Sequence, residues 1–347
     1  MSFSKVLIQW YLQNKRDLPW RNTRNPYHIW LSEIMLQQTR VAQGTPYFLS
    51  FTQNFPTVFD LANASEQEVL KLWQGLGYYS RARNLHKTAQ YIAFELNGIF
   101  PDNYKDLLNL KGVGDYTAAA IASFCYDETV AVVDGNVFRV LSRYFDIESD
   151  ISNAATKKEF QNLALALIPK DQAAIFNQAI MEFGALQCVP KSPNCEVCVF
   201  NDSCLALQKK KVSQLPVKTK KIKVTSRFFN YIVFEDNINQ TLINQRTGKG
   251  IWHNLYEFPL IETEKEEAFD PISLKILEKF KLNLATITEL NPESQRHKLT
   301  HQHLYIKFWK VKVDGPLESG IALENLKNYP FPIVIHNFIE KMLVDCK

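Results

Sequence analysis

The sequence predicts an all-α N-terminal part over residues 1–207 and an α+β domain over 228–347. Three observations carry this. Up to about residue 205 apolar residues recur at helical spacing, as in Leu85, Ala89 and Ile92, or Phe160, Leu163 and Leu167. From Phe228 the pattern turns strand-like, in the run Phe228-Phe229-Asn230-Tyr231-Ile232-Val233-Phe234. Between them, residues 208–227 hold Lys209, Lys210, Lys211, Lys218, Lys220, Lys221 and Lys223 with no periodic apolar face, which reads as a solvated linker.

Bulk composition narrows the class. A chain of 347 residues, 46% hydrophobic, is long enough for two domains with real cores. A net charge of +4 permits an acidic partner such as nucleic acid without requiring one. No apolar run approaches a membrane span, and the N-terminus reads as an amphipathic helix, unlike a signal peptide. A soluble, cytoplasmic protein is expected. Six cysteines in such a chain point to metal or free thiols before disulfides.

The elements follow from local signals. Asn25-Pro26 opens a helix with proline at its first position. Ser65 and Glu68 form a capping box ahead of Val69, Leu70 and Leu72. A short helix over 103–110 is ended by Gly112, and a second helix starts at Asp115 after Gly112-Val113-Gly114. Two glycines there allow a tight turn and a close approach, and the second helix offers its N-terminal N–H groups to a phosphate. Taken alone, the pattern is also that of an ordinary helical hairpin. Asp134 precedes a helix over 136–144 and is a good N-cap. Beyond the linker, strands are expected at 241–244, 255–259 and 304–313, and helices at 272–280 and 333–343. There is no repeat of fixed period.

Cys188, Cys195, Cys198 and Cys204 are separated by six, two and five residues. One Cys-x-x-Cys pair with a single cysteine on either side is not the two-knuckle pattern of a zinc ribbon. Four soft thiolates so close suit an iron–sulfur cubane or a compact zinc site. Cys125 lies on the apolar face of its helix and reads as a core residue, and Cys346 falls outside the pattern.

Several of these motifs resemble a known family. Leu110-Lys111-Gly112-Val113-Gly114, followed by Val133-Asp134-Gly135-Asn136-Val137, resembles the helix-hairpin-helix, Gly/Pro-Asp superfamily of base-excision glycosylases. The cysteine spacing is similar to the [4Fe–4S] loop of its endonuclease III and MutY branch, where the cluster would pin a loop carrying Lys191 near the DNA backbone. Trp30-Leu31-Ser32-Glu33-Ile34-Met35-Leu36-Gln37-Gln38-Thr39 resembles the segment of MutY-type adenine glycosylases that holds the catalytic acid. The stretch from Arg246 through Gly250-Ile251-Trp252 to Phe258-Pro259 resembles their C-terminal Nudix-like domain, without the Nudix catalytic box, so the fold is expected without pyrophosphate hydrolysis. The resemblance implies a six-helix barrel at about 20–135 and a cluster domain at about 1–19 and 136–207. A Nudix-like domain that recognises 8-oxoguanine would then follow the linker.

It also implies residue roles. Glu33 would protonate adenine; its neighbours Ile29, Trp30, Ile34, Met35 and Leu36 are of the kind that desolvate a carboxyl and raise its pKa, although a lone helix Glu is commonly just solvated. Asp134 would stabilise the sugar cation, assisted by Asn136; local signals alone make it an N-cap. Tyr116 stands where bifunctional relatives carry a Schiff-base lysine, so it would orient Glu33 in an enzyme that does not cut the strand. Trp20, Arg21, Leu36 and Gln178 would line the adenine pocket. Gln38 and Tyr78 would wedge beside the partner base, with Thr39 and Leu76 near them, and Gly112, Val113 and Gly114 would grip a phosphate. Arg296-His297-Lys298-Leu299-Thr300-His301 resembles the Phe-Ser-His hairpin that senses 8-oxoguanine, with Leu for Phe and Thr for Ser, leaving Thr300 and His301 as its functional pair.

The expected function is monofunctional removal of adenine from 8-oxoguanine:adenine or guanine:adenine pairs in double-stranded DNA. The expected protein is a monomer with a [4Fe–4S] cluster, near the nucleoid. The rivals are a mismatch thymine or uracil glycosylase of the same superfamily, and a non-catalytic iron–sulfur protein that only scans damage. The first would not need Thr300 and His301; the second would not need both Glu33 and Asp134.

Overall fold

The computed structural model describes residues 2–219, 223–282 and 285–345. Cys346, and Lys220 and Lys221 of the basic segment, lie outside the described residues. The chain divides into two compact units. One is Met1–Asn63 with Asn84–Lys220; the other is Ala64–Arg83 with Lys221–Lys347.

The first unit is helical, as expected. Asn25 caps the helix Pro26–Leu36, its Oδ1 accepting from Tyr27 N at 2.9 Å, with proline in the first turn. This helix packs on Val41–Asn54 and on Asp115–Tyr126. The latter buries every residue from Thr117 to Cys125, because its small alanines let neighbouring backbones come close. The short helix before the hairpin is only Tyr104–Leu107, and the chain reaches Gly112 through turns. Helix Gly135–Phe145 packs against Ala173–Leu186, which also packs against Phe3–Asn14. Their core gathers Leu7, Trp10, Val137, Leu141, Phe160, Phe176, Ile180 and Phe183. A Cβ at Gly184 would sit 2.6 Å from Asn136 Cβ, so only glycine lets these two helices meet at the start of Gly135–Phe145.

The basic segment is less free than its composition suggests. Lys209 Nζ lies 2.8 Å from Asp146 Oδ2, Lys211 reaches Asp146 and Glu148, and Ile151 N donates to Val217 O at 3.0 Å. Those acids follow the end of Gly135–Phe145, where cations on that side of the chain find partners remote in sequence.

In the second unit, Ser65 and Glu68 close the capping box at the start of Glu66–Leu72. This early segment is hydrogen-bonded to late residues: Asn254 Nδ2 to Glu66 Oε1 at 2.5 Å, Arg83 Nη1 to His253 O at 2.7 Å, and Phe331 N to Gln74 Oε1 at 3.1 Å. Strands Thr225–Glu235 and Gln302–Lys312 run parallel through the middle of a sheet, Thr225 opposite Gln302 and Glu235 opposite Lys312. Leu260–Thr263 flanks the first strand, and Thr286–Glu289 and Gln295–Lys298 flank the second, all antiparallel. One face is covered by helix Phe269–Phe280 through Ile272 and Ile276 against Ile232, Trp309 and Val311. Phe338, in helix Ile333–Asp345, stacks on Phe308 at 3.7 Å. The strand expected at 241–244 is two short pieces, Gln240–Thr241 paired with Ile321–Ala322 and Asn244–Gln245 paired with Tyr256–Glu257. The latter ladder is cut short where Asn254 takes φ 65° and Pro259 lacks an N–H. No helix among the described residues is long and apolar enough to cross a membrane.

Candidate active site

Glu33 sits in the last turns of Pro26–Leu36, only 7% exposed. Tyr116, in the first turn of Asp115–Tyr126, donates its hydroxyl to Glu33 Oε2 at 2.7 Å. The packing of these two helices brings acid and phenol together across 83 residues. Burial pushes the Glu33 carboxyl up to about 7, against the Tyr116 hydrogen bond; the charge of Asp134 raises it further and that of Arg21 lowers it. Burial, with the charges of Glu33 and Asp134, also raises the Tyr116 phenol well above its ordinary value, so it remains a donor.

Asp134 does double duty. Its Oδ1 accepts from Asn136 N and Val137 N, each at 2.8 Å, which caps Gly135–Phe145; its Oδ2 accepts from Asn136 Nδ2 at 2.7 Å. Burial raises its carboxyl above the ordinary range, while these three donors and Arg139 favour the charged form. The N-terminus of an eleven-residue helix adds to that preference. Arg139 continues the network, giving Nη2 to Asn136 Oδ1 at 2.8 Å and to Gly184 O at 2.7 Å, and Nε to Cys188 O at 2.7 Å.

A cavity of about 430 Å³ opens on the pair and is lined by Trp20, Arg21, Leu36, Thr39 and Gln178 as well as Glu33, Tyr116, Asp134 and Asn136. The structure thus gathers every residue expected at the adenine pocket. It adds one that sequence reasoning missed. Glu182, 1% exposed, is gripped by two guanidiniums: Arg21 at 2.9 and 2.7 Å, and Arg16 at 2.8 and 2.6 Å. Burial alone would raise its carboxyl, but those hydrogen bonds bring it down to about 2. The clamp holds Arg21 at the pocket wall. On the same helix face, Gln178 Oε1 accepts from the Tyr11 hydroxyl at 2.6 Å. The spacing of Gln178, Met181, Glu182 and Ala185, all pocket-lining, was the signal available.

A second cavity, about 710 Å³, shares Glu33, Leu36, Tyr116 and Asp134 and adds Gln38, Gly112 and Gly114. The carboxylates therefore stand between a base-sized pocket and the hairpin. Gly112 takes φ 79°, and a Cβ there would press on Asn84 at 2.9 Å; at Gly114 a Cβ would meet nothing. Val113 is buried, and the glycines on either side of it, Gly112 and Gly114, are exposed. Gln38 holds φ 56°, unusual for a residue with a side chain. A larger cavity, around Pro56, Phe59 and Ile99, contains none of these groups.

The four cysteines line one small cavity beside Arg143 and Phe200. Among the described residues no three His, Cys, Asp or Glu gather around a single-ion position. Four soft sulfur ligands that face one space fit an iron–sulfur cubane, where each binds a different iron. Arg143 Nη1 and Phe200 N point at Cys188 Sγ and Cys198 Sγ, each from 3.4 Å, and suit thiolate charge. Cys125 is buried, and burial pushes its thiol up to about 12.

In the second unit, Leu299, Thr300 and His301 form the turn between Gln295–Lys298 and Gln302–Lys312, closed by Leu299 N to Gln302 O at 2.8 Å. Thr300 and His301 are exposed. Tyr78, also exposed, meets Thr300, hydroxyl to hydroxyl, at 2.5 Å, while Leu76 is buried. His297 packs on Trp252 and His303 Nδ1 on Arg296, so these histidines do not make a metal site.

Residues 31–165 match the HhH-GPD superfamily of base excision DNA repair proteins, 188–204 the iron–sulfur binding domain of endonuclease III, and 230–341 a NUDIX domain. The adenine DNA glycosylase of Buchnera aphidicola subsp. Acyrthosiphon pisum is 36% identical over 326 residues, covering 94% of this chain and 90% of that one. The chain belongs to the adenine DNA glycosylase family. The Homo sapiens adenine DNA glycosylase is 44% identical over 223 residues, 62% of this chain and 41% of its own. A thermostable thymine-DNA glycosylase structure matches with a TM-score of 0.56 and 31% identity, over 60% of this chain and 95% of that one. An endonuclease III–DNA complex matches with a TM-score of 0.53 at 22% identity, over 60% and 94%, and shows the shared helical fold. As an adenine DNA glycosylase of base excision repair, the protein is a DNA-binding hydrolase with a [4Fe–4S] cluster, and the matched iron–sulfur binding domain runs from Cys188 to Cys204.

Proposed function

We propose that the protein is a monofunctional glycosylase that removes adenine paired with 8-oxoguanine or guanine and leaves an abasic site. The observation that carries the chemistry is Tyr116 donating to Glu33 Oε2 in a site that pushes Glu33 up to about 7. With Oε2 occupied, Oε1 carries the proton of the neutral acid. That proton passes to adenine as the bond from C1′ to N9 breaks, so the base leaves uncharged. Asp134, with three N–H donors, is the member of the pair that stays ionised and faces the sugar cation. Water then bonds to C1′ and gives up a proton. Tyr116 occupies the place where an amine would attack the sugar, so both strands stay intact.

Trp20, Leu36, Gln178 and the clamped Arg21 hold the extruded adenine. Gln38, next to Thr39 in its own unit, and Tyr78, near Leu76 in the other, act on the partner base. The backbone of Gly112, Val113 and Gly114 takes a phosphate. Thr300 and His301 read the base opposite. The bound cluster supplies rigidity to the loop of residues 188–204 and takes no part in bond breaking. The catalytic region is 1–207, the linker 208–227 and the recognition domain 228–347; the enzyme acts as a monomer at the nucleoid in the cytoplasm.

Single-turnover excision on duplexes with A opposite 8-oxoguanine, A opposite G, A opposite T and T opposite G tests this, each product with and without hot alkali. The expected result is adenine loss, fastest opposite 8-oxoguanine, with nicks only after alkali. Thymine loss from T:G, or nicks without alkali, overturns it.

A further inference from the structure

We propose that Lys157 and Gln161 hold one of the two phosphates that flank the extruded adenosine, in the cavity they share with the glycine hairpin. This rests on the reading above in which the backbone of Gly112, Val113 and Gly114 takes a phosphate. A nucleotide turned out of a duplex stays tethered through a phosphate on each side of its sugar. One anchor lets the sugar pivot; two fix its C1′. The hairpin supplies one anchor. The cavity of about 710 Å³ that holds Glu33, Asp134, Gly112 and Gly114 is also lined by Lys157 and Gln161.

The charges of that cavity require a cation. Its lining carries three acids, Glu33, Asp115 and Asp134, at a place a polyanion must enter. Lys157 is the only cationic side chain among the described lining residues. It is exposed, and it has no ion-pair partner among the described residues. Other lysines of the same unit are committed, Lys209 and Lys211 both to Asp146. An unpaired ammonium on the wall of an acidic cavity is free to meet a phosphate without giving up a partner. The Gln161 amide, half-buried one turn further on, adds a second donor to the same oxygens.

Packing fixes where the two side chains stand. Both lie on helix Ala154–Leu167, four residues apart and therefore on one face. Thr156, Phe160 and Ala164 form the buried side of that helix. The Phe160 ring meets the Phe138 ring at 5.0 Å, and Phe138, one turn after Asp134, lines the same cavity. Helix Ala154–Leu167 is thus seated on Gly135–Phe145, whose start Asp134 caps. The ammonium and the acid that faces the sugar are carried by two helices packed on each other. The helix itself gains nothing from Lys157: a cation so near its N-terminus works against the dipole, and the first turn holds no acid to offset it.

The test uses full-length, cluster-loaded protein with Lys157→Ala, Lys157→Arg and Gln161→Ala. Lys158→Ala is the control, a neighbour of equal charge outside the cavity lining. Affinity for duplexes carrying an uncleavable adenosine analogue is measured over a salt series, opposite 8-oxoguanine and opposite guanine. Each phosphate flanking the analogue is also replaced in turn by a neutral methylphosphonate. Lys157→Ala should weaken binding about threefold to tenfold opposite either base, and lower the slope of log affinity against log salt by about 1. Lys157→Arg should keep the slope, Gln161→Ala should lose affinity at an unchanged slope, and Lys158→Ala should match the parent. One neutral linkage should weaken the parent and have no further effect in Lys157→Ala. An unchanged slope in Lys157→Ala, an equal loss in Lys158→Ala, or losses that multiply at both linkages overturns the proposal and leaves the hairpin's contact standing. A parent indifferent to both neutral linkages overturns the hairpin reading and this proposal together.

Discussion

Glu33 is 7% exposed within packed helices, whereas Thr300 and His301 stand in solvent on a turn of the C-terminal sheet. In the helical unit the functional groups are held by burial and by backbone: a helix start caps on Asp134, and Arg139 ties Asn136 to the carbonyls of Gly184 and Cys188. In the C-terminal unit they are held by a three-residue turn and one hydroxyl contact. The first arrangement changes what a carboxyl is; the second changes only which way a hydroxyl points. Substitutions in the helical site should therefore act on rate and stability together, and substitutions in the turn on discrimination alone.

The largest effect is expected from Glu33→Gln, a loss in single-turnover excision on the order of a thousandfold with duplex binding retained. The same carboxyl gives a pH signature. The rate should fall as pH rises past about 7, because the protonated form is the active one. Its folded pKa is raised from 4.5, so the native state holds the proton more tightly, and stability is lost as pH climbs from there to about 7. Glutamine has no charge to bury, so the variant should melt higher than the parent at pH 8 and less so at pH 5, by up to about 3 kcal/mol. A melting difference that ignores pH would show that burial does not govern Glu33.

Arg139→Gln comes next. It removes donors to Asn136, Gly184 and Cys188 from a buried position, and should destabilise the protein by roughly 3 kcal/mol while slowing excision. Denaturant melts at matched iron content check this. Lost rate at unchanged stability would break the link between the two properties on which the comparison depends. His301→Ala should do least, with stability within about 0.5 kcal/mol of the parent and a loss seen in the preference for 8-oxoguanine. A loss as large as that of Glu33→Gln would place catalytic weight on the C-terminal turn.

Much of this was legible in the sequence because helix starts announce themselves. Asn25-Pro26, Ser65 with Glu68, and Asp134 all cap where their residue types say they should. The pairing of Tyr116 with Glu33 was expected from the family resemblance alone; their hydrogen bond depends on two helices packing side by side, which no local pattern encodes. Glu182 stayed hidden for the same reason: one acid in an apolar helix says nothing until Arg16 and Arg21 are found against it. Short strands such as Asn244–Gln245 and Ile321–Ala322 are too brief for a period of two to register. Lys209 and Lys211 read as solvated because their acids lie some sixty residues earlier in the chain.

The order of the chain has a further consequence. Ala64–Arg83 is made early but belongs with residues after Lys220, to which Glu66, Gln74 and Arg83 are hydrogen-bonded. On a ribosome adding about 5–20 residues per second, that segment waits roughly ten seconds or longer for its partners to be made. During that time Leu70, Trp73 and Leu76, buried in the finished protein, lack the late residues that complete their unit. A nascent chain, or one truncated before the final sheet, therefore carries an amphipathic helix, Glu66–Leu72, without the late residues to which its segment is hydrogen-bonded.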